Sequence, residues 1–122
     1  MNKDLANIGL SEKSHSQLKE MTDLDMFNDL KDGYRLAVSV AIKRKIDATS
    51  HKIESRKNMF DVGGVDQNFL LRNSVKLLYP SEEGQEYKFI EKLADLGVNI
   101  IYQNFQDNDE SLELGELVSD DT

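Results

Sequence analysis

The side chains able to do chemistry in this chain are few and scattered. His15 and His51 are the only histidines, and there is no cysteine. The two histidines lie far apart in sequence and in different polarity settings, which argues against a shared metal site or a general-base pair. Ser11, Ser14 and Ser16 set hydroxyls beside His15, the raw material of nucleophilic catalysis. No carboxylate is placed to orient that ring, and helix capping accounts for the serines. Asp107, Asp109, Glu110 and Glu113 have the look of a calcium loop. The segment lacks the glycine at the sixth position and the glutamate at the twelfth that such a loop needs. Gly63-Gly64 is not followed by the Lys-Ser/Thr of a phosphate loop and reads as a turn. The expectation is a non-enzyme with no cofactor and no metal.

Charge is the next signal. The net charge is −8, but residues 1–57 carry 11 Lys and Arg against 9 Asp and Glu, while residues 58–122 carry 4 against 14. The tightest basic cluster is Lys43, Arg44 and Lys45, extended by Lys52, Arg56 and Lys57. From Asp107 onward there are seven carboxylates and no base. Such a split marks a chain whose halves face different partners. No apolar run approaches the roughly 18 residues of a membrane span. The N-terminus lacks the basic-then-apolar layout of a signal peptide, and the absence of cysteine fits a cytoplasmic setting.

These residues hang on a mainly α chain with one short N-terminal strand. Ala6, Ile8 and Leu10 alternate with Leu5, Asn7 and Gly9, a period of two that predicts a half-buried strand. Ser11 is the expected N-cap of a first helix running to about Met21. Asn28 or Asp25 is the expected cap of a second helix carrying Leu30, Tyr34, Val38 and Ile42, which has no strong breaker through the basic cluster. This helix is apolar on nearly every side, so it needs a partner, and a second copy of the chain is the simplest one. Four segments result: a dimerisation module at 1–46, a basic linker or helix extension and turn at 47–65, a helical region at 66–106 and an acidic disordered tail at 107–122. Within the third, Asp66 should cap a helix over 67–79 that Pro80 ends, and Gly97 should end or kink the helix that follows.

The strand-helix-helix order of the first 46 residues resembles the ribbon-helix-helix (MetJ/Arc-type) family of β-ribbon DNA-binding proteins. The resemblance implies that two chains pair their N-terminal strands and insert the ribbon into the major groove. It puts Ala6, Ile8 and Leu10 inward, in a dimer core shared with Leu30, Tyr34, Val38 and Ile42. Lys3, Leu5, Asn7 and Gly9 match the outward strand positions. By the same resemblance Lys3 and Asn7 contact DNA and Asn28 stands at the phosphate-facing start of the second helix, while Lys43, Arg44 and Lys45 add positive charge. Gly9 departs from the family's base-reading position. Asp25, Asp29 and Asp32 would stand near the phosphate, where each opposes the polyanion.

Two functions follow as expectations. One is a small dimeric DNA-binding protein, a bacterial transcriptional regulator or antitoxin-like repressor whose partners are a second copy and duplex DNA. The other is an adaptor or inhibitor that keeps the fold without binding DNA and meets a protein partner through its acidic C-terminal half.

Overall fold

The computed structural model describes residues 4–118. Strand β1 (Asn7–Ser11) runs directly into helix α1 (Glu12–Asp23). Ser11 ends the one and caps the other, its hydroxyl accepting from the Ser14 amide at 3.1 Å. Helix α2 (Leu30–Lys43) is capped by Asp29, whose carboxylate accepts from the Asp32 amide at 2.9 Å. Neither Asn28 nor Asp25 takes that position. α2 stops at the basic cluster instead of continuing through it. Arg44 closes the helix, and Lys45 takes a left-handed backbone (φ 57°), which no α-helix of L-residues sustains.

Residues 47–65 hold the largest departure from expectation. A second strand, β2 (Arg56–Asp61), pairs antiparallel with β1, from Asn7 opposite Asp61 to Ser11 opposite Arg56, with a bulge between Ile8 and Gly9. The segment is therefore no helix extension: residues 47–55 form a linker without helix or strand, and residues 56–61 are a strand. The strand expected to seek a second copy finds its partner fifty residues on in the same chain. The Val-Gly-Gly-Val turn is a single helical turn, α3 (Val62–Val65).

Asn68 and Phe69 both adopt left-handed backbone (φ 63° and 57°) and swing the chain into α4 (Leu70–Leu78). The helix starts three residues later than expected and Phe69, not Asp66, takes its cap position, though the Asp66 carboxylate reaches over the turn to accept from the Leu71 and Arg72 amides at 2.7 and 3.0 Å. Pro80 opens a short 3-10 turn, after which α5 (Glu86–Asp107) spans 22 residues without a break at Gly97. A Cβ on Gly97 would lie 2.0 Å from the Ala37 carbonyl oxygen, so this glycine permits close helix crossing and does not end a helix. Within the segment expected to be a disordered tail, residues 114–118 form a further turn of helix, α6 (Leu114–Val118), and residues 119–122 lie outside the described residues.

Helix α5 is the centre of the fold, packing along α2 and against α1, α4 and β1. Tyr34, Ala37, Val38 and Ala41 of α2 meet Ile90, Leu93, Ala94 and Val98 of α5 in a fully buried core. The partner demanded by the apolar second helix is thus supplied within the chain. Of the expected dimer-core residues, Ile8, Leu10, Tyr34 and Val38 are fully buried inside one chain, while Leu30 and Ile42 are half-buried. Ala6, expected inward, is exposed. Among the described residues no helix is long and apolar enough to cross a membrane.

Candidate functional site

The family resemblance places function at the N-terminal strand. β1 is occupied along both edges. On one side it pairs with β2, and on the other α5 presents two buried carboxylates. Glu91 accepts from the Gly9 amide and Asp95 from the Ser11 amide, each at 2.8 Å. The Tyr34 hydroxyl donates to the Gly9 carbonyl at 2.9 Å. Burial first, then the nearby Glu91 and Asp95 charges, push the Tyr34 hydroxyl well above its ordinary pKa, so it stays a donor. Gly9 is itself buried, not outward, and a Cβ there would lie 1.8 Å from the Lys57 carbonyl oxygen. Its role is close approach of two strands.

The residues expected at DNA fall on separate elements. Lys3 lies outside the described residues. Asn7 is exposed at the start of β1, and its carbonyl accepts from Arg56. Asn28 is exposed in the α1–α2 loop, and Lys43 ends α2, so these two stand about 20 Å apart along the helix axis. Arg44 donates to the Glu116 and Leu117 carbonyls and fastens α6 to the body of the fold. Lys45 is exposed on its left-handed turn. Arg56 is held by Glu91, with its Nε 2.9 and 3.0 Å from the two carboxylate oxygens. That pairing raises the arginine's pKa further and keeps it charged.

His51 has the orienting carboxylate that sequence spacing did not reveal. Its Nε2 lies 2.7 Å from the Asp95 carboxylate, which is 2% exposed. Burial alone would raise the Asp95 carboxyl, but hydrogen bonds from His51, the Ser11 amide and neighbouring serine hydroxyls outweigh it and leave the group below its ordinary range. The pair lines an open cleft of about 720 Å³ with Lys13, Lys52 and Asn99. The same hydroxyls make further contacts: Ser14 donates to the Asp95 carbonyl and Ser11 accepts from the Ser14 amide. The network's visible role is to pin the 44–55 loop and the β1–α1 junction to α5.

The surface with the strongest unsatisfied physical demand is formed by α2 and α4. Leu70, Leu71, Leu77 and Leu78 recur at seven-residue spacing and share one face of α4. Leu70, Leu77 and Leu78 are 68%, 80% and 55% exposed, and Phe69 at the head of the helix is 55% exposed. Beside them runs an apolar groove of about 400 Å³ between Leu36, Val40 and Ile42 of α2 and Leu71 and Ser74 of α4. It continues through Ser39, Leu71 and Ser74 into a second hollow of about 480 Å³ below Arg35 and Leu70. The sequence shows these leucines as an apolar helix face. Only the packing of α4 by its Val75 side reveals that most of that face is left outside the core.

Comparisons with protein-family models, with curated proteins and with solved structures returned no match.

Proposed function

We propose that this chain is a protein-interaction module, an adaptor or inhibitor, that engages its partner through the α2–α4 face. The observation that carries the reading is the exposed leucine stripe of α4 beside a continuous apolar groove. Scattered exposed leucines are ordinary, but a contiguous patch along one helix marks a recognition surface. The left-handed Asn68 and Phe69 that aim α4 add support, since non-glycine residues in that region cost on the order of 1–2 kcal/mol each and concentrate at functional segments. The acidic segment is a weaker docking candidate than the sequence suggested. Leu117 is buried, and the Asn104 amide binds the Glu113 carbonyl and the Glu116 carboxylate.

The test is a paired capture experiment with the whole chain and its Leu70→Ser/Leu77→Ser variant as baits against extract of the source cell. Both leucines are largely exposed, so the variant should fold with an unchanged melting temperature. A protein retained by the parent chain and lost with the variant supports the reading. Identical retention by both baits refutes it.

A second reading keeps DNA as the partner through the intrachain ribbon, and the exposure of Asn7, Lys57 and Asn58 on its two strands favours it. A two-stranded ribbon fits a major groove. The acidic Asp61 opposite Asn7, and the engagement of Arg56 by Glu91, weigh against it.

A further inference from the structure

We infer that the cleft holding His51 is a general-base site for the hydrolysis of a small, uncharged carboxylic ester. It shares no lining residue with the α2–α4 groove. His51 Nε2 stands 2.7 Å from one oxygen of the Asp95 carboxylate, and the other oxygen accepts from the Ser11 amide at 2.8 Å. Held below its ordinary range, that carboxyl is ionised at neutral pH and can only accept. A neutral His51 ring therefore carries its proton on Nε2 and its lone pair on Nδ1. Nδ1 has no hydrogen-bond partner among the described residues. The buried side-chain atom left without a partner among them is Gln17 Oε1, so Nδ1 is open to solvent. The His51 side chain is 23% exposed and lines the open cleft of about 720 Å³, a volume suited to a small molecule.

An orienting carboxylate separates this ring from an ordinary surface histidine. It fixes the tautomer and stabilises the imidazolium that forms when Nδ1 takes a proton. His15 is half-buried and has no such partner among the described residues. The reaction needs only water and the ester. Nδ1 removes a proton from a water in the cleft as the water oxygen bonds to the carbonyl carbon. The imidazolium returns that proton to the departing alkoxide as the acyl–oxygen bond breaks, leaving acid, alcohol and neutral His51. Asn99 on the cleft wall offers a donor to the carbonyl oxygen, because its Oδ1 faces the Ser14 hydroxyl at 3.2 Å and its amide nitrogen has no partner among the described residues. Charge selects an uncharged ligand. Lys13 and Lys52 line the cleft with Glu12 and Glu54, all four exposed and unpaired among the described residues, so neither sign prevails. A phosphorylated ligand would lose to the glutamates what it gained from the lysines.

The experiment follows hydrolysis of ethyl dichloroacetate by the whole chain at constant pH. Ethoxide is too poor a leaving group for an imidazole to expel directly, so turnover reads proton removal from water and not acyl transfer to nitrogen. The parent chain is expected to exceed His51→Gln by about a hundredfold. The Gln amide can still donate to Asp95, so this variant keeps the loop pinned while losing the base. His15→Ala should match the parent. Asp95→Asn presents a donor to Nε2 and reverses the tautomer, which the ring nitrogen NMR shifts report, so its rate should fall at least about tenfold. Equal rates for the parent and His51→Gln overturn the site. So does an Asp95→Asn variant that reverses the tautomer and keeps the parent rate. If Asp95→Asn fails to fold, the comparison with His51→Gln decides alone. Shifts of the Lys13, Lys52 and Asn99 amides with inorganic phosphate, without ester turnover, would make the cleft an anion site and overturn the inference as well.

Discussion

Removing the Glu91 carboxylate should unseat the strand it seals. Glu91 is 5% exposed and accepts from the buried Gly9 amide at 2.8 Å while holding Arg56 in a two-oxygen contact. In Glu91→Ala the Gly9 amide is left buried without an acceptor, a cost of about 1–3 kcal/mol. Arg56 is about one-third exposed and turns to water, so losing its ion pair adds no more than about 1 kcal/mol. The sum, about 1–4 kcal/mol, corresponds to a fall of about 4–16 °C in melting temperature for a chain of this length. Glu91→Gln keeps an acceptor for Gly9 and loses only the charge, so it should cost less than about 1 kcal/mol. Thermal unfolding followed by circular dichroism, with exposed Glu12→Ala as the control, measures both. If Glu91→Ala melts within about 2 °C of the parent chain, the carboxylate does not seal the strand edge. If the Gln variant is as damaged as the Ala variant, the ion pair and not the amide contact holds the strand.

Three further outcomes are expected. Asp95 has a folded-state pKa below its unfolded value near 3.9, so its contribution to stability is complete above about pH 4 and lost as pH falls through the folded value. Melting temperature against pH should therefore drop less steeply on the acid side in Asp95→Asn than in the parent chain, and parallel curves would contradict this. Gly97→Ala forces α2 and α5 apart at a contact of 2.0 Å and should cost at least about 1–3 kcal/mol in denaturant unfolding, where an unchanged midpoint would remove the close crossing from the account. Titration of the labelled chain with a generic DNA duplex should leave the amides of residues 5–11 and 25–31 unshifted at physiological salt. Salt-sensitive shifts there would favour the ribbon reading.

The sequence disclosed the elements with strong local signals. The strand around Ile8 and Leu10, the Ser11 cap and the apolar face of α2 all appear in the fold, because each is set by neighbours along the chain. The burial of the strand does not alternate, since Ala6 is exposed and Gly9 buried. Strand β2 was hidden. Its residues Arg56, Lys57 and Asn58 are polar and exposed, and only pairing with β1 makes them a strand. Gly97 gave the opposite signal to its role, since closeness to Ala37 is a property of the helix pair and not of the sequence around it. The His51–Asp95 contact joins residues 44 positions apart, beyond any local pattern. The resemblance to a two-chain ribbon located the strand and two helices correctly in order. The partner of the strand and the cover of α2 came instead from β2 and α5, elements beyond the stretch the resemblance spans.

The central claim is that this chain acts through the α2–α4 face. Its most direct test places a photo-crosslinking side chain at Ser74, in the groove, and separately at Asn7, on the ribbon, in the source cell. The account predicts a discrete protein adduct from position 74 and no nucleic-acid adduct from position 7. A DNA adduct from position 7 with nothing captured at 74 would contradict it.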